Sequence, residues 1–242
     1  MSRFCAAIFG CDGLRLTAEE KVFFRDVQPF GFILFARNID NADQVRALCD
    51  ELRACVDHHA PILIDQEGGR VQRMRAPMAT EWLPPLEEVQ TAGPNAARVM
   101  YLRYRIIAHE LMALGIDADC APMVDVARPD THPFLRNRCY GEDPQQIIEI
   151  ARAVSEGLWD GGVYPVIKHM QGHGLAVVDI HKDLPRVSVP KEELAGDFPP
   201  FKSLNDLPMG MTAHIVFEDL DEGPAKNSPA KIPVRGEARG GE

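Results

Sequence analysis

Short apolar runs recur along the chain, and each is followed by a longer amphipathic stretch. The runs are rich in β-branched and aromatic residues. Unbroken apolar runs of this length are typical of strands that are buried on both faces, as in parallel sheets. The pattern therefore predicts six strands, at residues 6–10, 31–37, 61–65, 119–125, 163–169 and 208–216.

Three of the intervening stretches have helical spacing. The first, residues 41–55, begins with Asn41 as its N-cap. The second, residues 143–157, begins with an N-cap aspartate and a proline at the first helical position. Residues 96–114 form the third predicted helix. In residues 41–55 the apolar face consists of Val45, Leu48 and Leu52. In residues 96–114 it consists of Val99, Leu102, Ile106 and Leu111.

The alternation of strands and helices predicts right-handed βαβ units and an α/β fold. The sheet could be open and doubly wound, but residues 10–13 (GCDG) do not form a GxGxxG motif and no Walker A motif is present. Chemically active residues instead lie at or just past the ends of several strands, namely Asp65, Asp125, Lys168, His169 and His214. Because a (β/α)8 barrel builds its site from many βα loops on one face, we favour a TIM-type barrel.

Composition and charge exclude several classes of protein. The 242 residues are 45% hydrophobic and 26% charged, as in a globular chain, and the net charge of −10 with no basic cluster argues against a nucleic-acid partner. No apolar run is long enough for a membrane span, and the N-terminal apolar stretch is too short for a secretory signal. The six cysteines show no CxxC spacing, so we expect free thiols in a reducing cytoplasm.

One loop with candidate chemistry directly follows the third predicted strand, at residues 65–73 (DQEGGRVQR). Its glycines allow the backbone to approach a ligand closely, and its arginines are planar charged donors. An aspartate that ends an apolar strand favours a functional site for Asp65. The alternative is structural, with Asp65 and Glu67 pairing with Arg70 and Arg73 to hold the loop.

The densest cluster of titratable residues is the segment 168–174 (KHMQGHG) with Asp179 and His181. Asp179 and His181 are close enough in sequence for the carboxylate to accept the imidazole proton, which would produce a general acid/base near neutral pH. A metal site formed by His169, His173, Asp179 and His181 is a second interpretation. A third is that these histidines are only hydrogen-bonded loop residues.

Two further segments carry weaker signals. The basic loop at residues 136–144 (RNRCYGEDP) either contributes to a site or only positions the helix that follows it. The segment 211–214 (MTAH) places His214 in the sixth predicted strand, where a single histidine is more often a core residue than a catalytic one.

Taken in order, these motifs resemble those of the family 3 glycoside hydrolases, and within them the bacterial β-N-acetylhexosaminidases of peptidoglycan recycling. The resemblance covers about residues 5–220. It is carried by DQEGGRVQR, APMVDV, RCYGEDP, KHxxGHG, DxH and MTAH, at residues 65–73, 121–126, 138–144, 168–174, 179–181 and 211–214.

The resemblance implies a TIM-type barrel that removes terminal β-linked N-acetylglucosamine from cytoplasmic muropeptides with retention at the anomeric carbon. It implies no metal and no organic cofactor, and a monomer is usual in the family. His181, oriented by Asp179, would be the acid/base, in place of the second carboxylic acid of ordinary glycosidases. The sugar-binding residues that it implies are Asp65, Arg73, Arg138, Lys168 and His169.

Two departures lie in the catalytic loop. Gln171 stands where the family usually has proline, and Ile180 stands where it usually has serine. We expect both to weaken the positioning of the acid/base without changing the reaction, because the dyad itself is retained.

A third departure concerns the nucleophile, which in the family is an aspartate in a Gly-Phe-Asp-Gly segment at the seventh strand. No such segment follows His214. Residues 221–242 include eight charged residues, four glycines and three prolines, so we expect a non-native, disordered tail there. We expect residues 1–220 to be a C-terminally truncated barrel with about six of eight strand–helix units. The chain is then either a hydrolase by lineage or a catalytically inactive fragment with residual sugar binding.

Overall fold

The computed structural model describes residues 4–170, 174, 186–187, 194–213 and 215–217. In these ranges the strands are β1 (Cys5–Phe9), β2 (Pro29–Leu34), β3 (Ile62–Ile64), β4 (Gln66–Gly68), β5 (Val71–Gln72), β6 (Ala118–Asp119), β7 (Tyr164–Met170), β8 (Arg186–Val187), β9 (Met209–Thr212) and β10 (Val216–Phe217). The α-helices are α1 (Ala18–Val27), α2 (Ala42–Arg53), α3 (Pro85–Ala92), α4 (Ala96–Met112), α5 (Pro133–Arg136), α6 (Pro144–Trp159) and α7 (Phe198–Ser203).

Six parallel strands form the main sheet, in the spatial order β1-β2-β3-β6-β7-β9. Each pair of neighbouring strands is connected through helical segments, as the predicted βαβ units require. An antiparallel hairpin of β4 and β5 follows β3 directly, and β8 pairs in parallel with β10. Because the strands are parallel, their carboxyl ends meet at one edge of the sheet.

The inner strands are buried on both faces, as the unbroken apolar runs predict. Ile62 and Ile64 of β3 belong to the large apolar cluster that also contains residues of α2, α4 and α6. Leu63 lies in a smaller cluster on the other face, together with Cys120 and Val166. The two outermost strands differ, since β1 and β9 contain no fully buried residue.

The helix start signals are confirmed. The side chain of Asn41 accepts a hydrogen bond from the Gln44 amide at 3.0 Å, and α2 begins at Ala42. The side chain of Asp143 accepts bonds from two amides of α6, with Pro144 at the first helical position. Both caps satisfy amides that have no partner within the helix.

The face predicted for α4 is wrong by part of a turn. Leu111 is buried as predicted, but Leu102 and Ile106 are 45% and 46% exposed, and the buried face continues through Met100, Tyr104 and Ile107 instead. The buried face also contains Arg103, which donates hydrogen bonds to the backbone oxygens of Glu67 and Leu83. Apolar spacing alone does not identify this orientation, because residues 100, 104, 107 and 111 are at helical spacing just as residues 99, 102, 106 and 111 are.

The fourth and sixth predicted strands are too long. β6 ends at Asp119, because the chain continues through Pro122, which has no amide to donate to a sheet. It returns to its neighbour at one isolated bridge between Met123 and Lys168. The sixth run divides into β9 and β10, and His214 between them lies outside the described residues, as do residues 221–242 and the expected domain boundary at residue 220.

Two features bear on the environment of the chain. All six cysteines lie within the described part of the chain and are unpaired, and five of them are buried. Among the helices that the structure describes, none has the length and apolar content needed to cross a membrane.

Candidate active site

The carboxyl ends of β3, β6 and β7 bring charged residues together. Asp65 follows β3 directly, Asp119 is the last residue of β6, and Lys168 lies in β7. In the sheet register, Ile64 pairs with Asp119, so Asp65 lies one residue beyond the level of Asp119. The positions of Asp65 and Lys168 are as predicted from polar residues at strand ends, whereas the fourth strand was predicted to begin at Asp119 and to end at Asp125.

Lys168 links two acidic residues of the loop after β3. Its Nζ lies 2.8 Å from Asp65 Oδ1 and 2.5 Å from Glu67 Oε1. The lysine side chain is 1% exposed, as is that of Glu67, and that of Asp65 is 14% exposed. A buried ammonium needs such partners, because an unpaired charge in the interior is costly.

Two arginines extend this chain of charges at its ends. Arg73 donates a hydrogen bond to Asp65 Oδ2 at 2.8 Å. Arg138 donates two hydrogen bonds to Glu67, from Nε to Oε2 at 2.9 Å and from Nη2 to Oε1 at 2.8 Å. The order of charges is therefore Arg138, Glu67, Lys168, Asp65 and Arg73, alternating in sign with a net charge of +1. We refer to these five residues as the charge network.

The pKa values in the charge network follow from burial and pairing. Burial opposes the negative charge of Glu67, but Arg138 and Lys168 outweigh it and lower the pKa of Glu67 to about 2. The same balance lowers the pKa of Asp65 below its ordinary value, through Lys168 and Arg73. Burial works against the charge of Lys168, yet Asp65 and Glu67 raise the pKa of Lys168. Glu67, Asp65 and Lys168 are therefore ionised at neutral pH.

The hairpin of β4 and β5 holds the two acids in place through Gln66. The Gln66 side-chain oxygen accepts hydrogen bonds from the amides of Arg73 and Met74 at 3.0 and 3.1 Å. The turn needs glycine at Gly68, where φ is +109° and an added Cβ would lie 2.7 Å from the Leu83 carbonyl oxygen. The predicted close approach of backbone in this loop is therefore to the protein itself.

Asp119 anchors the same hairpin from β6. Its Oδ1 accepts a hydrogen bond from the Gln66 amide at 3.0 Å, and its buried Oδ2 has no hydrogen-bond partner among the described residues. Burial, opposed by the Gln66 amide and Lys168, raises the pKa of Asp119 to about 7. The Asp119 carboxyl group therefore keeps its proton to a higher pH than an ordinary aspartate does.

His169 lies beside the charge network and has its own acidic partner. Its Nδ1 is 2.7 Å from Asp125 Oδ2, and its backbone amide donates to the same oxygen at 3.3 Å. The Asp125 side chain is fully buried and the His169 side chain is 12% exposed.

The loop at residues 136–144 contributes one residue to the charge network. Arg138 follows α5 and is 6% exposed. Its guanidinium carbon lies 5.6 Å from the centre of the Phe134 ring, and that of Arg70 lies 3.9 Å from the same ring. Arg70 is therefore placed on an aromatic ring, where the structural interpretation of the loop had it pairing with an acid.

The structure brings together Asp65, Arg73, Arg138, Lys168 and His169, the five residues singled out as sugar-binding candidates. Asp179 and His181 lie outside the described residues, as do Gln171 and Ile180. In the part of the chain that the structure describes, no three His, Cys, Asp or Glu side chains lie close enough to hold a metal ion. Of the four alternative metal ligands, only His169 is described.

Glu67 is the functional candidate that sequence reasoning missed. It was considered only as a local partner of Arg70 or Arg73, whereas it binds Arg138 and Lys168. A signal was available, because Glu67 lies two residues after Asp65 and alternation along a strand places such residues on one face.

Comparison with known proteins assigns the chain to a family. Residues 10–233 match the family described as "Glycosyl hydrolase family 3 N terminal domain". The match covers most of the chain, so the chain belongs to glycosyl hydrolase family 3, as the resemblance predicted.

Relatives and solved structures make the comparison more specific. The chain is 35% identical over 223 residues to a protein named Beta-hexosaminidase from Alkalilimnicola ehrlichii, covering 90% of this chain and 64% of that protein. It is 34% identical to the Beta-hexosaminidase of Tolumonas auensis, with 88% and 64% covered. It therefore spans about 64% of the length of these curated relatives.

Among solved structures, NagZ from Neisseria gonorrhoeae in complex with N-trifluoroacetyl-D-glucosamine superposes with a TM-score of 0.84 at 30% identity, covering 93% of this chain and 67% of that one. A family 3 β-N-acetylglucosaminidase from Paenibacillus superposes with a TM-score of 0.80 at 28% identity, covering 92% and 42%. These likenesses confirm the predicted fold class, a TIM-type barrel of which the sheet holds six parallel strands.

Proposed function

We propose that the chain binds the terminal β-linked N-acetylglucosamine of a muropeptide and supplies the sugar-binding and acid/base parts of a retaining β-N-acetylhexosaminidase. The observation that carries the proposal is the charge network with His169, at the carboxyl ends of β3 and β7 in a family 3 glycoside hydrolase chain. The names of its relatives and the N-acyl glucosamine bound by the NagZ of Neisseria gonorrhoeae support this substrate class.

The charge network suits a neutral, hydroxyl-rich ligand. Carboxylate oxygens have lone pairs beyond those used by their cations, so Asp65 can accept hydrogen bonds from sugar hydroxyls. Arg73 is 27% exposed at its side chain and supplies donors beside Asp65. Lys168 and Glu67 are too buried to be first contacts, and in this proposal they fix Asp65 and Arg138 in orientation.

In the proposed reaction His181, oriented by Asp179, protonates the leaving oxygen and later takes a proton from water. A carboxylate nucleophile forms the covalent glycosyl intermediate that retention requires. The segment that carries this aspartate in the family does not occur in the 242 residues. We place the activity in the cytoplasm with a monomeric protein, on the basis of the family resemblance alone.

The same sequence observation favours a second candidate function. A chain with the sugar site and without the nucleophile would bind N-acetylglucosamine and not hydrolyse its glycosides. The two candidates share the binding step and differ in turnover.

Binding and turnover by the purified 242-residue chain test both candidates. Binding of N-acetylglucosamine is measured by isothermal titration calorimetry, and turnover by release of p-nitrophenol from its N-acetyl-β-glucosaminide. We expect Asp65→Asn to weaken binding by roughly tenfold or more through loss of charge-assisted hydrogen bonds. The control Asp43→Asn changes an aspartate whose side chain is 96% exposed and should leave binding unchanged.

The outcomes separate the candidates. Turnover that His181→Ala abolishes would establish the hydrolase. Binding without turnover would establish the second candidate, and no binding by the wild-type chain would refute both.

A further inference from the structure

Asp125 and His169 form a buried carboxylate–imidazole pair that the charge network does not include. Asp125 lies in the segment after β6 and His169 in β7. The Val124 amide donates a hydrogen bond to the Lys168 carbonyl at 2.8 Å, and this pairing of neighbouring segments brings the two side chains together. The distance from His169 Nδ1 to Asp125 Oδ2 is 2.7 Å.

A carboxylate in this position determines which ring nitrogen carries the proton. An ionised carboxylate only accepts hydrogen bonds, so Nδ1 must be the donor, and in a neutral imidazole Nε2 is then the acceptor. The backbone amide of His169 donates to the same oxygen at 3.3 Å, which fixes the base of the side chain as well as its ring. Asp125 thus constrains both the orientation and the tautomer of His169.

The neighbouring basic groups are engaged elsewhere. Lys168 contacts Asp65 and Glu67, and Arg138 gives two hydrogen bonds to Glu67. The acidic partner of His169 is Asp125, which lies outside the hairpin of β4 and β5. Its side chain retains 12% exposure, against 1% for Lys168.

We propose that Asp125 is a positioning residue that holds His169 in the Nδ1–H tautomer, so that Nε2 accepts a hydrogen bond from a sugar hydroxyl. The inference rests on the proposed function for the identity of the ligand. The tautomer itself does not depend on that identity, because Asp125 imposes it in the ligand-free protein.

The tautomer is measurable by NMR spectroscopy of the complete chain labelled with 15N. At about pH 8, above the ordinary pKa of histidine, two-bond 15N–1H correlations report which nitrogen of each neutral imidazole is protonated. A His169→Gln variant assigns the signals. We expect protonation of His169 at Nδ1 in the wild-type chain and a shift towards Nε2 protonation in Asp125→Asn, whose amide can donate to Nδ1.

The second arm measures affinity for N-acetylglucosamine. We expect Asp125→Asn to raise the Kd roughly tenfold, as for the loss of one well-oriented hydrogen bond. Asp117→Asn is the matched control, because Asp117 is also largely buried and paired with Arg53 at 3.0 Å, but precedes β6 at the opposite end of the strand. It should change neither the tautomer nor the Kd.

The two arms fail in different ways. Nε2 protonation in the wild-type chain overturns the role of Asp125, even where Asp125→Asn does not fold. The expected tautomer with an unchanged Kd in Asp125→Asn overturns the link to the ligand. Absence of any sugar binding by the wild-type chain contradicts the proposed function, and the tautomer still decides whether Asp125 positions His169.

Discussion

Replacement of Lys168 by methionine should destabilise the protein more than any surface substitution. The change removes the ammonium and keeps a side chain of similar length, so the main loss is electrostatic. Glu67 and Asp65 would keep Arg138 and Arg73, respectively, but would lose their shared partner. Removal of one member of a buried ion pair costs about 3–5 kcal/mol.

The pKa of Glu67 gives a second route to the same magnitude. Burial alone would raise it, yet Arg138 and Lys168 lower it from 4.5 to about 2. Each pKa unit corresponds to about 1.4 kcal/mol, so the net balance of burial and pairing stabilises the ionised, folded form by about 3 kcal/mol through this group. Lys168→Met removes only part of this balance, because Arg138 stays bound to Glu67. The contact between Lys168 and Asp65 is lost as well, and we expect a total loss of about 3 kcal/mol.

The sign of the pH dependence follows from the same shift. A carboxyl group with a lowered pKa in the folded state contributes stability above its unfolded pKa, and this contribution is lost as the pH falls from about 4.5 towards 2. Without Lys168, burial weighs more and the pKa of Glu67 rises. The stability difference between Lys168→Met and the wild type should therefore be largest near pH 7 and should decrease towards pH 4.

Urea denaturation followed by circular dichroism measures these free energies of unfolding. Lys202→Met, at an exposed lysine of α7, is the control and should stay within about 0.5 kcal/mol of the wild type. A combined Asp65→Asn/Lys168→Met variant should recover part of the loss, because it removes an acid that Lys168→Met leaves with one partner fewer, and the other partner of that acid, Arg73, is 27% exposed to solvent. A free energy of unfolding for Lys168→Met within about 0.5 kcal/mol of the wild-type value at pH 7 would refute the argument.

Three further predictions concern other parts of the fold. Burial raises the pKa of Asp119 to about 7, so ionisation of Asp119 lowers the free energy of unfolding as the pH rises from about 4 to 7. The stability of Asp119→Asn relative to the wild type should therefore increase by roughly 3 kcal/mol between pH 5 and pH 8. Equal pH profiles of Tm in the two proteins would contradict this prediction. Gly157→Ala should lower the free energy of unfolding, measured in urea, by about 1–3 kcal/mol, since the added Cβ would lie 2.5 Å from a carbonyl oxygen of α4. Gly13→Ala is the control, because the space around Gly13 is open. Similar losses in both variants would count against the explanation. Phe23 is 45% exposed on α1 beside the edge strand β1, so it is the place to test the proposed monomer. Sedimentation velocity should show one monomeric species for the wild type and for Phe23→Ser. Association of the wild type that Phe23→Ser reduces would contradict the monomer.

Much of the fold could be predicted because local signals and the global fold agree. The N-caps Asn41 and Asp143 start helices where predicted, and the unbroken apolar run at β3 is buried on both faces. The failures occur where apolar spacing is ambiguous or is interrupted. Two faces of α4 have apolar residues at helical spacing, and Pro122 interrupts a strand whose apolar composition continues past it.

The candidate site shows the same division. The positions of Asp65, Lys168 and His169 could be predicted from the strand ends, because the carboxyl ends of parallel strands meet at one edge of the sheet. Among their partners, Arg73 was one of the arginines considered for Asp65, and the two bind at 2.8 Å. The distant partners could not be predicted. The hydrogen bond between Lys168 and Asp65 spans 103 residues and that between Arg138 and Glu67 spans 71, so only the topology determines these pairs.

The pairing explains why a chain with a net charge of −10 holds buried cations in its candidate site. The proposed ligand, a neutral sugar, would gain little from net charge, but it would gain from donors and acceptors that are already oriented, since their orientation costs no entropy on binding. Alternation of sign lets each charged group be held by its neighbours without one dominant charge. In this arrangement Glu67 matters although it is buried away from solvent. It holds Arg138 and Lys168 at fixed positions, and Lys168 in turn holds Asp65, the acid with more exposure to a ligand.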